Sequence, residues 1–305
     1  MRRPLLLASI ISLLVTSPSN AQQTLVLGTA TPGGGFPVYG AAFAEMINAQ
    51  EPKIRIEPRN TKGSTENVPL LEAGQLDIGL VAGELATAAL AKPGTPLRIV
   101  TAMYASPGMF MVKGDSPVRR IADLKDKPVV LGTQGSGITV LGQTVLDALE
   151  ISVQKIVLEK AADAPPMLLD GRAAAIFGAG VGWPAFSALA KSGGRFVAPD
   201  PDEVRRILAR QRSLQAVTLP ANSYPGQGAP LQSVGSWSYV FSAANLSEEK
   251  GYLLARAIHR AEAAFGARLE QARETTMANT LAAAPRADLI HPGVLKYMRE
   301  AGLIR

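Results

Sequence analysis

The residues able to do chemistry in this sequence are few, and most of them sit beside glycine. There are two histidines and no cysteine. His259 falls beside an apolar stripe of helical spacing and His291 is followed by Pro292, so neither has the spacing of a metal-ligand pair or of a nucleophile–base set. No G-x-S-x-G elbow, Walker loop or complete G-x-G-x-x-G occurs. The expectation is therefore no catalytic residue, no metal site and no cofactor. What remains is a set of glycine-rich turns, each placed between a strand-like run and a helix-like run. They are Gly28-Thr29-Ala30-Thr31-Pro32-Gly33-Gly34-Gly35-Phe36, Lys62-Gly63-Ser64-Thr65-Glu66-Asn67, Gly132-Thr133-Gln134-Gly135-Ser136-Gly137-Ile138-Thr139 and Gly178-Ala179-Gly180-Val181-Gly182-Trp183-Pro184. Such turns let backbone N–H groups approach a ligand closely, and the helix that follows favours a negative charge at its start. Ser64, Asn67, Ser136 and Gly137 are the expected anion contacts, with Phe36, Tyr104 and Trp183 walling off the rest of a solute. The plainer alternative is that Ser64 and Ser136 only cap helices.

The elements that must hold these turns alternate between strand and helix. Residues 24–28, 54–58, 76–82, 97–102, 129–132 and 155–159 read as short buried or alternating strands, and Tyr39, Phe43, Met46 and Ile47 share one helical face. A helix is expected from Ser64 to a stop at Gly74, where glycine suits a left-handed cap. One pattern repeats: Leu70-Leu71-Glu72-Ala73-Gly74 precedes Leu76-Asp77-Ile78-Gly79 as Leu168-Leu169-Asp170-Gly171 precedes Ala173-Ala174-Ala175-Ile176. Two similar α/β lobes explain the echo. Met109-Phe110-Met111-Val112-Lys113 and Ser236-Trp237-Ser238-Tyr239-Val240-Phe241 read as strands carrying the chain out of the first lobe and back. The expected division is 22–113 plus 236–305 for the first lobe and 114–235 for the second. From Ser247, a plausible N-cap, the tail is helical, with Leu254, Ile258, Ala261 and Phe265 on one stripe.

Arg2-Arg3, the mainly apolar residues 5–15 and the small-residue pattern Ser19-Asn20-Ala21 read as a secretory signal, residues 1–21, cleaved after Ala21. No later stretch approaches the roughly 18 consecutive apolar residues of a membrane helix. Without cysteine there is neither a disulfide nor the lipidated residue a lipoprotein needs, so the expected location is a Gram-negative periplasm, free of a lipid anchor. The net charge of +6 is spread through mixed runs such as Asp202-Glu203-Val204-Arg205-Arg206, as on solvated helix faces and unlike a nucleic-acid footprint.

Across nearly the whole chain after residue 21, the sequence resembles the TAXI family, solute-binding subunits of one class of TRAP transporters. The resemblance is carried, in order, by Gly33-Gly34-Gly35 with Ala44-Glu45-Met46-Ile47-Asn48, Gly63-Ser64-Thr65-Glu66-Asn67, Ile121-Ala122-Asp123-Leu124-Lys125-Asp126-Lys127 and Gly135-Ser136-Gly137. Tyr224-Pro225-Gly226-Gln227, Ile290-His291-Pro292-Gly293 and Tyr297-Met298-Arg299-Glu300-Ala301-Gly302 complete it. It implies an α/β, two-lobed type II periplasmic-binding-protein fold with two hinge crossings and C-terminal helices. It also implies delivery of a glutamate-like or other small carboxylate to an ion-gradient-driven permease without an ATPase. Gly34, Gly35 and Phe36 match the family's first loop, Ser64 and Asn67 its second, Ser136 and Gly137 its third. Where the family often has glutamine after the strand following the second loop's helix, this chain has Ala82, then Gly83-Glu84; where it often reads Gly-Ser-Gly-Thr, Ile138 follows Gly137. The expected protein is a monomeric, non-enzymatic receptor with a small-molecule solute and a membrane permease as partners. The rival readings are a binding subunit of an ABC importer or sensor, an enzyme on a related fold, and a structural surface protein.

Overall fold

The computed structural model describes residues 22–243 and 245–305; the expected export segment and its cleavage point lie outside them. Two five-stranded mixed sheets form the frame, each flanked by helices.

The first sheet is built from β1 (Gln23–Gly28), β2 (Ile54–Arg59), β3 (Ile78–Val81), β4 (Arg98–Ala105) and the late strand β12 (Trp237–Ser242), in the order β2-β1-β3-β12-β4. β1 runs parallel to β2 and β3, whereas β12 enters antiparallel between β3 and β4. The connecting helices are α1 (Gly35–Gln50), α2 (Ser64–Glu72) and α3 (Gly83–Ala91). Gly74 takes φ +68°, the left-handed value expected just past a helix end.

The second sheet uses β5 (Gly108–Val112), β6 (Pro128–Thr133), β7 (Gln154–Leu158), β8 (Ala175–Ala179) and β9 (Arg195–Val197), in the order β7-β6-β8-β5-β9. Its helices are α4 (Gly137–Leu149), α5 (Ala164–Leu169), α6 (Pro184–Lys191) and α7 (Pro201–Arg210), and a ribbon of β10 (Gln215–Leu219) with β11 (Leu231–Gly235) closes the lobe.

The first boundary therefore differs from the sequence reading. Residues 109–113 were expected to leave the first lobe at Lys113, but β5 pairs with β8 and β9 inside the second sheet. Every β5 residue is buried, and Phe110 meets the Phe177 ring edge-on at 5.0 Å. An apolar run without alternation needs cover on both faces, which a central strand has and a crossing segment lacks. The outward crossing is instead Ser106-Pro107, between β4 and β5. The return crossing runs through Ser236 from β11 to β12. The two crossings touch: Ser106 N–H donates to the Ser236 carbonyl at 3.2 Å. A Cβ on Gly235 would lie 2.0 Å from the Ser106 carbonyl oxygen, so only glycine lets the strands lie this close.

The tail forms α8 (Glu248–Arg268), α9 (Met277–Ala283) and α10 (Pro292–Glu300). Ser247 caps α8 by accepting from Lys250 N–H at 3.3 Å. The α8 stripe joins the first lobe's core, where Phe265 stacks on Phe43 of α1 with centroids 6.0 Å apart. Both histidines are packing groups. His259 Nδ1 lies 2.8 Å from the Tyr297 hydroxyl. His291 caps α10, its Nδ1 accepting from Gly293 N–H at 3.1 Å while Nε2 meets the Leu246 carbonyl at 3.1 Å. Those partners fix a neutral ring with its proton on Nε2.

Candidate functional site

The parallel strands of both sheets end at one cleft, which encloses about 900 Å³ counted out to its mouth. That matches the place where open α/β sheets hold ligands. The β1–α1 turn brings Ala30, Thr31, Gly34, Gly35 and Phe36 to the cleft; the β2–α2 turn brings Gly63 and Ser64. From the facing lobe, the β6–α4 turn supplies Gly132, Thr133, Ser136, Gly137 and Ile138, and the turn after β8 supplies Trp183. α1, α2, α3 and α4 thus all begin at its wall, and α1, α2 and α3 begin without a side-chain cap. The first amides of a helix lack intrahelical acceptors, so these starts present a positive dipole end, although Thr65 N–H of α2 and Ile138 N–H of α4 are already taken by the Gly135 carbonyl and Ser136 Oγ.

Of the expected contacts, Gly34, Gly35, Phe36, Ser64, Tyr104, Ser136, Gly137 and Trp183 line this cleft. Asn67 does not. It is fully buried behind the first wall, where Nδ2 donates to the carbonyls of Thr29 and Leu80 at 2.8 Å and of Gly28 at 3.3 Å. One amide thus ties the ends of β1 and β3 to α2, a holding role that leaves it no face toward a solute.

The two serines part company as well. Ser136 is the N-cap of α4, its Oγ accepting from Ile138 N–H at 3.1 Å. Ser64 caps nothing: it is the first residue of α2, and its Oγ accepts from Ala82 N–H at 3.0 Å, joining α2 to the β3–α3 link. Each hydroxyl keeps its proton for donation elsewhere.

Trp183 is set by Tyr224. Trp183 N–H donates to the Tyr224 hydroxyl and that hydroxyl donates to the Gly180 carbonyl, both at 2.9 Å. The indole edge packs over Gly35 of the opposite lobe. Its Nε1–H is buried without an acceptor among the described residues.

The lobes meet around the cleft. The Gly135 carbonyl accepts from Thr65 Oγ1 at 2.8 Å and from Thr65 N–H at 3.2 Å. Next to this latch, a Cβ on Gly137 would stand 2.2 Å from the Ala82 Cβ. A small residue at 82 and none at 137 are what permit the approach, and Ala82, a departure from the resembled family, acquires its steric reason here.

Several lining residues escaped the sequence reading: Ser106 and Ser236 on the crossings, Ser238 on β12, Gln271 in the 3-10 helix Glu270–Glu274, and Glu84 in the first turn of α3. Among the described residues no lysine or arginine lines the cleft, and Glu84 is its one carboxylate. Burial pushes the Glu84 carboxyl above its ordinary value, opposed by the hydrogen bond from Ser236. Burial also raises the Tyr104 hydroxyl, so that phenol is neutral.

Comparison with known proteins follows from this geometry. The profile of the NMT1-like family matches residues 27–302. Among solved structures, the periplasmic binding protein BugD is similar over 92% of this chain and 98% of its own, at TM-score 0.61 and 15% identity. The alkanesulfonate-binding protein SsuA from Xanthomonas axonopodis pv. citri, bound to MOPS, aligns over 92% of this chain and 84% of its own, with TM-score 0.52 and 17% identity. A TctC solute binding protein from Polaromonas aligns over 95% and 100%, with TM-score 0.50 and 18% identity. At such identities the likeness is one of fold: two lobes about a cleft.

Proposed function

The chain belongs to the NMT1-like family, and from that premise we propose that it is a periplasmic receptor that closes its two lobes on a small carboxylate-bearing solute and delivers it to a membrane permease. The observation that carries this reading is the convergence of four helix starts on one interlobe cleft that has no basic side chain among the described residues. The dipole ends of α1, α2 and α4 suit a carboxylate, with charge-assisted hydrogen bonds contributing about 1.5–3 kcal/mol each. Ser64, Ser136 and Gly137 are the polar contacts; Gly34 and Gly35 give close backbone approach; Phe36, Tyr104 and Trp183 shield the remainder. The likeness to binding proteins of BugD, SsuA and TctC type supports receptor work rather than turnover.

The ordered motif set supports the finer assignment, a TAXI-type subunit serving a TRAP permease driven by an ion gradient. On this reading the chain is exported, loses residues 1–21 and acts as a monomer without cofactor or metal. The test is thermal denaturation of solute-stripped protein against short mono- and dicarboxylates. A binding acid at 100 times its dissociation constant stabilises the protein by about 2.7 kcal/mol. If only uncharged sugars or polyols produce the shift, the carboxylate reading fails. Membrane vesicles carrying the cognate permease should take up the acid with an imposed ion gradient and without ATP; uptake that needs ATP assigns an ABC importer instead.

A further inference from the structure

We propose that Glu84 is the seat for a protonated amine on the solute, so that the ligand class is a small acid bearing an amino group. The inference rests on the cleft being a solute site and adds which chemistry the second end of that solute carries.

Glu84 Oε1 accepts from Ser236 Oγ at 2.8 Å, while Oε2 is buried with no hydrogen-bond partner among the described residues. Buried carboxylates are ordinarily satisfied by a cation or several donors, because desolvation without compensation is costly. Here the wall offers neither lysine nor arginine among the described residues. Glu84 lies in the first turn of α3, where the helix dipole favours an acid, but that offsets only part of the desolvation and supplies Oε2 with no partner.

The carboxylate is also held in place. Gly83 is pressed against Ser236 and the Trp237 carbonyl so tightly that a Cβ on it would clash, which fixes the start of α3 on the return crossing. With the backbone fixed and Oε1 held by Ser236, Oε2 is left at the wall of the cleft without a partner among the described residues.

Among the described side chains that line the cleft, the other unpaired polar group is a donor. Trp183 Nε1–H is buried without an acceptor, and the helix starts present backbone N–H groups. A solute with only carboxylates would satisfy these donors and bring a second negative charge to Glu84. A solute with only an amine would satisfy Glu84 and leave the donors empty. A molecule carrying both answers both halves. The upward push on the Glu84 carboxyl by burial is what an ammonium partner would reverse on binding.

The experiment uses the exported chain, stripped of co-purified solute by unfolding and refolding, and isothermal titration calorimetry at pH 7. The probes are matched sets of two to six carbons: α- and ω-amino acids, the same acids without the amine, and the same amines without the acid. The variant is Glu84→Gln, which keeps shape and removes charge; its unliganded melting temperature should equal or exceed that of the wild type, since a buried unpaired carboxylate is gone. The expected result is an amino acid probe that binds, a deaminated partner at least a hundredfold weaker, and a loss of at least a hundredfold for that probe in Glu84→Gln. Equal binding of acids with and without the amine, or a change under threefold in Glu84→Gln, overturns the assignment of Glu84 and leaves the receptor reading standing. Binding of amines alone, lost in Glu84→Gln, upholds Glu84 and overturns the carboxylate reading. Failure of every probe overturns both.

Discussion

On the first-lobe wall of the cleft the side chains are Thr31, Ser64, Glu84, Tyr104, Ser238 and Gln271, with Ala30, Phe36 and Ala82 among them; on the facing wall they are Ile138, Leu141, Leu158, Ala161, Ala164, Ala179 and Trp183, beside Thr133 and Ser136. Both walls are built from the same strand–turn–helix unit, yet hydroxyl, amide and carboxyl groups gather on one and aliphatic groups on the other. The division separates two tasks. The first lobe presents directional partners that tell one solute from another, and the second brings down an apolar cover that excludes water and strengthens those contacts. Ser64 and Ser136 show the same split in miniature: similar residues in similar turns, one joining two elements of the recognition wall and the other capping a helix of the covering wall.

Four substitutions or conditions press on that comparison. The largest effect belongs to Asn67→Ala, which removes the amide shared by three backbone carbonyls behind the first wall, of which that of Thr29 keeps a second donor in the Thr61 hydroxyl. With each orphaned buried group costing about 1–3 kcal/mol, a loss of about 3 kcal/mol is expected in urea denaturation, with the binding stoichiometry of surviving folded protein unchanged. A near-neutral stability with lost binding would instead move Asn67 back among the recognition groups.

Gly137→Val comes next. Its side chain would collide with Ala82 only when the lobes meet. The variant should fold normally yet lose at least a hundredfold in affinity, roughly 2.7 kcal/mol. Small-angle scattering should show no compaction on adding a solute that compacts the wild type; compaction of the variant would mean that the cover closes by another route.

Ser136→Ala removes a cap from the covering wall and should cost about 1 kcal/mol of stability. Its affinity should fall far less than that of Ser64→Ala. Equal losses of affinity would erase the contrast between the two serines.

The smallest effect tests a group outside either wall. Burial, aided by repulsion from Arg98, lowers the pKa of His291. Below the ordinary value of 6.5 the unfolded chain takes up a proton that the folded ring resists. Stability from this residue is therefore complete above that pH and lost as pH falls through the folded value. Glu84, raised by burial, has the opposite sign: its contribution is present below the ordinary carboxyl value of 4.5 and lost as pH rises through its folded value. Denaturation at pH 7.5 and 5.5 should show an acid loss that His291→Gln reduces and Glu84→Gln leaves in place. An acid loss removed by Glu84→Gln would put the sensitivity in the cleft instead.

Much of this was legible in the sequence where backbone demands are strong. β1 and β6 announce themselves by apolar runs ending at glycine turns and β2 by its alternation, and the turns locate the cleft. α3 did not, because Gly-Glu-Leu-Ala-Thr-Ala-Ala-Leu-Ala packs through alanines and shows no sharp stripe. With that helix unseen, Glu84 read as a local departure, and its burial could not be inferred. Asn67 was misplaced for a different reason: an amide three residues after Ser64 looks the same whether it faces a ligand or three carbonyls. Gln271 comes from a tail segment more than 30 residues after the return crossing, and no local pattern ties it to the cleft.

β12 has a consequence for the order of assembly. It occupies the slot between β3 and β4, and the chain reaches it only after all of β5–β11. A ribosome working from the amino end therefore completes every strand of the second sheet before the first sheet can close. Until Ser242 has emerged, β3 and β4 lack the strand that pairs with both, and each presents an open edge of unpaired amides and carbonyls. The wall that chooses the solute is the last part of the molecule to become whole.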